Sequence, residues 1–110
     1  KREWAQAVVA ELNKRSPLSL KVTHRHIRDA QALDLRQTLC VDYRLACRFL
    51  DGHDFYEGVR AALIDKDANP RWQPATLEEV TANMVDEYFA PMGASEMSLL
   101  SRAEMQAARV

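Results

Sequence analysis

Hydrophobic residues recur every three or four positions along most of this chain, and Pro, Gly and capping residues cut that pattern into helix-length pieces. Trp4, Ala5, Ala7, Val8 and Leu12 share one face of a first predicted helix. It stops before Ser16-Pro17. Ser at an N-cap followed by Pro at the first helical position is a strong start signal, because the ring's fixed φ suits that site and its missing N–H has no partner there anyway. The second helix then presents Leu18, Leu20, Val22 and Ile27. A third begins near Asp34, where Asp34 and Gln37 form a capping-box pair. It runs through Leu35, Leu39, Tyr43, Leu45, Ala46 and Phe49 to Gly52, which is expected to stop it in a left-handed conformation.

The fourth helix is expected from Asp54, with Glu57 three residues on, and shows Phe55, Val59, Ala62 and Leu63 to one side. Gly58 inside it costs about 1 kcal/mol relative to Ala, which implies close approach by another backbone. The stretch Ala68-Asn69-Pro70-Arg71-Trp72-Gln73-Pro74 must be irregular, since its prolines remove donors and restrict the residues before them. Thr76 with Glu79 reads as another capping box, opening a helix through Val80, Met84, Val85 and Tyr88 that ends before Pro91 and Gly93. A last, weaker helix is expected from Ser95 or Ser98 to Arg109. No segment alternates like a strand, and there is no repeat or low-complexity tract. The fold class is all-α, with five or six helices.

Composition narrows the partners. Lys and Arg number 15 against 16 Asp and Glu, whereas a nucleic-acid binder usually carries a clear basic excess. No apolar run approaches the roughly 20 residues needed to cross a bilayer. The expectation is therefore no nucleic acid and no membrane. The length of 110 residues allows at most one domain with a modest core. The opening Lys-Arg-Glu-Trp has no initiator Met and already lies inside an amphipathic pattern, so the sequence reads as a piece of a longer protein.

Candidate chemistry is sparse. Cys40 and Cys47 are seven apart on a helix, about 10 Å along its axis, which is too far for a disulfide. They read as small buried hydrophobes. His24 and His26 point about 200° apart on their helix and cannot share a metal; with His53 they find no Cys or carboxylate to complete a ligand set. No Ser sits in a nucleophile-elbow pattern, and three scattered glycines cannot build a phosphate loop. No catalytic residues are assigned, and no metal or cofactor. One cluster stands apart: Lys66 at a helix end, followed by Arg71 and Trp72 in an irregular loop. Such a set can hold a phosphate and cover an adenine ring. Equally, Lys66 can serve the helix dipole while Trp72 packs on the core.

The same stretch carries a family resemblance. The run from His53 to Asp67, then Pro70, Trp72 and Pro74, closely resembles the C-terminal region of 3-hydroxyisobutyryl-CoA hydrolases. Ser16-Pro17-Leu18-Ser19-Leu20-Lys21-Val22-Thr23 and Asp42-Tyr43-Arg44-Leu45 match two further blocks of that family in the same order. The likeness extends more loosely to the crotonase (enoyl-CoA hydratase/isomerase) superfamily. It covers residues 1–92 as the helical region, leaving residues 93–110 as a tail with a short helix.

The resemblance implies a parent protein with an N-terminal spiral core that binds a coenzyme A thioester and hydrolyses it in valine breakdown. The catalytic groups would then lie upstream of Lys1, and the 110-residue chain alone would be inactive. It implies packing on that core and homo-oligomerisation, in the cytoplasm of a bacterium or the mitochondrial matrix of a eukaryote. It also places Lys66 at a position where related enzymes contact the phosphates or adenine of coenzyme A. The family's aromatic residue one turn earlier is replaced here by Leu63. Two alternatives remain: an enoyl-CoA hydratase or isomerase relative, and a stand-alone helical interaction module.

Overall fold

The computed structural model describes residues 2–109 and is all-α, with no strand among them. Its elements are α1 (Arg2–Leu12), α2 (Pro17–Ala30), α3 (Leu35–Leu50), α4 (Asp54–Val59), a π-helical turn (Arg60–Ile64), α5 (Ala82–Phe89), a 3-10 turn (Gly93–Ser95) and α6 (Arg102–Ala107). The start signals of α2 and α3 work as the sequence predicts. Ser16 Oγ accepts from the Ser19 amide, with Pro17 in the first helical position. The Asp34 carboxylate accepts from the Gln37 amide while the Gln37 side chain accepts from the Asp34 amide.

Helices α2, α3 and α5 enclose the core. Leu18 and Val22 from α2, Leu45 from α3, Val85 from α5 and Val80 just before it are buried together. Val41, Phe49, Tyr88 and Phe89 cover their flanks, with the Phe49 and Tyr88 rings tilted by 53° and their centroids 4.6 Å apart. Helix α1 contributes nothing buried. Trp4 is 73% exposed, and Val9 and Leu12 are exposed beside it. Between α1 and α2 runs an open apolar groove of about 950 Å³, lined by Val9, Leu12, Leu20, Ile27, Leu77 and Val85 among others.

The dimensions follow from this thin core. The radius of gyration is 17.5 Å, against about 13 Å for a compact domain of this length. The accessible surface is 8460 Å², where a folded monomer of this mass shows about 6,200 Å². A chain that packed all of its apolar faces internally would be smaller on both measures.

Several expectations need correction. Gly52 does not adopt the left-handed conformation; α3 ends with Asp51 as its cap, in right-handed geometry. Glycine is required there by space, because a Cβ would come within 2.8 Å of the Tyr88 hydroxyl. Gly58 also marks a close approach, but by a side chain: the Trp72 ring lies 3.3 Å from where its Cβ would stand. Helix α4 does begin at Asp54 as expected, although His53 in the cap position gives no side-chain hydrogen bond to it.

Thr76 and Glu79 do pair, hydroxyl to carboxylate at 2.8 Å, but they close only a turn. Val80 then drops into the core and its carbonyl accepts from Lys21 Nζ at 3.0 Å, so the helix restarts at Ala82 with Thr81 as cap. The last helix starts later than expected, at Arg102, behind a Ser101–Glu104 capping box. Cys40 and Cys47 are free and half-buried rather than buried.

The segment leading to α6 is held by one stripe of α3. Arg36, Cys40, Arg44 and Arg48 are four residues apart and therefore stack on one face. Arg36 donates to the Leu100 carbonyl at 2.7 Å and Cys40 to the Met97 carbonyl at 3.4 Å. Arg44 binds the Glu96 carboxylate at 2.7 Å and the Phe89 carbonyl at 3.0 Å, and Arg48 reaches the Ala90 carbonyl at 2.8 Å. The partners run backwards along the chain, so the strap lies antiparallel to α3.

Candidate functional site

The site candidate from the sequence, Lys66, stands where α4 and its π-helical extension run out. Widening the helix over Arg60–Ile64 lets the Asp65 amide bond back to the Arg60 carbonyl at 2.8 Å. The chain then turns sharply: Lys66 and Ala68 both adopt left-handed backbone angles, φ 55° and 54°. Neither is glycine, so their conformations are strained and must be enforced by their surroundings. Lys66 is exposed and makes no ion pair among the described residues.

Two polar clusters anchor the helix and the loop around this turn. The first centres on Asp54, only 5% exposed. Its carboxylate accepts from the Ser16 hydroxyl, from His53 Nδ1 at 2.8 Å and from the Gln73 amide at 2.9 Å. A buried carboxylate is tolerated when donors surround it in this way. It ties the start of α2, the start of α4 and the far end of the loop to one point.

The second centres on Arg60. Its Nε and Nη2 grip both oxygens of Glu57 at 2.8 and 2.7 Å, and Nη1 binds Asp65 and Asp67, each at 2.8 Å. Nη2 also reaches the Asn69 carbonyl at 3.4 Å. Glu57 accepts in addition from the Arg71 amide at 2.7 Å, and Asp67 from the Asn69 amide at 2.9 Å. These hydrogen bonds, from Arg60 first and the Arg71 amide second, hold the Glu57 carboxyl down to about 2. Asp67 is lowered for the same first reason, and Arg60 is pushed above its ordinary value by Glu57.

The other candidates divide. Trp72 is half-buried: an edge of its ring lies against Gly58, and its ring N–H donates to the Lys14 carbonyl at 3.1 Å. His24 is exposed, His26 pairs with Asp42, and His53 serves Asp54. Among the described residues no group of three or more His, Cys, Asp or Glu could hold a metal. Leu63, at the position of the family's aromatic residue, is exposed. The sequence reading missed Arg60 and Asp54. The only local hint was the Glu57/Arg60 spacing of three, since Asp65 and Asp67 join only after the helix has ended.

The whole of this arrangement falls inside a family match. The enoyl-CoA hydratase/isomerase family model covers residues 1–89. The chain belongs to that family. Within the enoyl-CoA hydratase/isomerase family it is similar to the mitochondrial 3-hydroxyisobutyryl-CoA hydrolase of Gallus gallus, 50% identical over 96 residues, which is 87% of this chain and 25% of that protein. The corresponding Homo sapiens hydrolase is 45% identical over 86 residues, 78% of this chain and 22% of its own length.

The chain thus spans about a quarter of the curated relatives it matches. Among solved structures, a carnitinyl-CoA dehydratase from Mycobacterium thermoresistibile superposes with a TM-score of 0.67 at 47% identity, over 73% of this chain and 23% of that one. The all-α architecture and the resemblance drawn from the sequence blocks both agree with these findings. No helix of the described residues is long and apolar enough to cross a membrane.

Proposed function

We propose that this chain is the C-terminal helical region of an enzyme that hydrolyses 3-hydroxyisobutyryl-CoA or a similar coenzyme A thioester, in the breakdown of valine. The observation carrying this reading is the 50% identity to a protein of that name over a quarter of its length, joined to a surface too large for a self-sufficient domain. The catalytic groups belong to the rest of the protein, an N-terminal spiral core. There, backbone N–H groups polarise the thioester carbonyl and stabilise the negative charge that develops on its oxygen. The helical region packs its α1–α2 groove on that core and supports a homo-oligomer.

Lys66 is its contribution to substrate binding. The Lys66 ammonium, exposed and without an ion pair among the described residues, meets the phosphates of coenzyme A; no further cofactor, metal, nucleic acid or membrane takes part. Relatives named as mitochondrial favour the mitochondrial matrix for a eukaryotic parent, with the cytoplasm for a bacterial one.

A second reading has its own support. A carnitinyl-CoA dehydratase is 47% identical over this region, which favours removal of water from an acyl-CoA in place of thioester cleavage. One assay separates them. The full-length protein is given 3-hydroxyisobutyryl-CoA, free thiol is followed colorimetrically, and the acyl products are resolved by mass. Free coenzyme A with 3-hydroxyisobutyrate is the expected result. A dehydrated thioester without thiol release would replace the first reading by the second, and an unchanged substrate would remove both.

A further inference from the structure

Arg60 uses its whole donor set on the loop that carries Lys66. A guanidinium has five N–H groups in a fixed plane, and five hydrogen bonds leave Arg60: two to Glu57, one each to Asp65 and Asp67, and one to the Asn69 carbonyl. Asp65 and Asp67 flank Lys66 in sequence, so the residue is clamped from both sides by one cation. Glu57 extends the clamp by accepting from the Arg71 amide. Lys66 and Ala68 stand at φ 55° and 54° just past the helix end, where the Ala68 amide bonds back to the Ala61 carbonyl, and the clamp adds side-chain anchors on either side of Lys66. The electrostatics point the same way. Three carboxylates beside one exposed ammonium would repel an anionic ligand, and Arg60 occupies an oxygen of each.

We propose that Arg60 is a positioning residue for the coenzyme A subsite: it never touches the thioester, and by holding Asp65 and Asp67 it presents the Lys66 ammonium to the phosphates. This rests on the reading of Lys66 given above. A single ammonium cannot replace the fork, because its three donors radiate from one point and cannot span the four residues that the guanidinium plane reaches. The role belongs to binding and not to bond breaking, so it should show in KM and leave kcat alone.

The test uses the full-length enzyme with two substrates, the coenzyme A thioester and the matching pantetheine thioester, which lacks the nucleotide phosphates. Lys66→Met is expected to raise KM for the coenzyme A thioester roughly tenfold, the loss of one charge-assisted contact. Arg60→Met and Arg60→Lys are each expected to raise it roughly fivefold, with kcat and the pantetheine KM unchanged. The double variant Lys66→Met/Arg60→Met should be no worse than Lys66→Met alone, since the two act on one contact. Should Arg60→Met fail to fold, Asp67→Ala releases one arm of the clamp at an exposed side chain, and a KM rise confined to the coenzyme A thioester is again expected.

An increase with Lys66→Met but none with the Arg60 or Asp67 variants would overturn the positioning role and leave Lys66 in place. Equal losses on both substrates, or a fall in kcat, would make Arg60 a purely structural residue and also overturn the proposal. No effect of Lys66→Met would remove the Lys66 reading itself, and the positioning role with it.

Discussion

Helices α1 and α2 have apolar residues at similar helical spacing, yet they meet opposite fates. The apolar side of α2 puts Leu18 and Val22 into the core, Val22 to 1% exposure, while α1 buries nothing and leaves Trp4, Val9 and Leu12 open along a groove. The difference is one of partners, not of patterning. Helix α2 has α3 and α5 against it, whereas the face of α1 meets no element within the described residues that covers it. Amphipathicity announces that a helix will be covered and is silent about what covers it. The excess of accessible surface and the enlarged radius of gyration are the sum of such unanswered faces.

The sharpest way to break the comparison is to truncate one leucine on each side. Leu45→Ala, in the core, should cost about 3 kcal/mol, whereas Leu12→Ala on α1 should cost under about 0.5 kcal/mol in this chain. Denaturant titration of the 110-residue protein reads both, and equal losses would mean that α1 is packed after all. In the full-length protein the Leu12→Ala loss should grow towards that of Leu45→Ala.

A smaller effect is expected from Asp54→Ala. It strands the Ser16 hydroxyl and the Gln73 amide in a buried site and should cost about 2 kcal/mol. The same titration checks it, and a loss below a few tenths would show that the junction of α2, α4 and the loop does not depend on this carboxylate.

The smallest effect is local and depends on pH. Glu57 has its carboxyl lowered from an ordinary 4.5 to about 2 by Arg60 and the Arg71 amide. A lowered carboxyl stabilises the fold above its unfolded value, and that contribution disappears as pH falls through the folded value. Loosening of residues 65–71 is therefore expected between about pH 4.5 and 2, with Asp67 shifted in the same direction. The Arg71 amide resonance would report it; a midpoint at 4.5 would show that Glu57 gains nothing from the clamp.

The parts of this molecule that were legible in the sequence are those decided within four residues. Ser16-Pro17 and the Asp34/Gln37 box start helices because a side chain answers a backbone group next to it. Where a distant group decides, local reading failed. Thr76 and Glu79 meet only side chain to side chain and cap no helix, because Val80 is drawn inwards by the core and Lys21. Gly52 and Gly58 are fixed by Tyr88 and Trp72, one from another helix and one from a loop.

The stripe of Arg36, Cys40, Arg44 and Arg48 on α3 likewise takes its meaning from distant groups, the strap of residues 89–100 that it holds. At the candidate site, Lys66 was singled out from its place at a helix end and from the family resemblance. The Arg60 clamp around it was not, because two of its three carboxylates lie beyond the end of the helix.

Amide hydrogen exchange, compared between the full-length protein and the 110-residue chain, tests most directly whether this region is built to be completed by the rest of its protein. The amides of α2, α3 and α5 should be protected in both, and those of α1 from Val8 to Leu12 should exchange quickly in the short chain and slow sharply in the long one. Exchange of α1 at the same rate in both would contradict the account, because its apolar face would then lack a partner in the complete protein too.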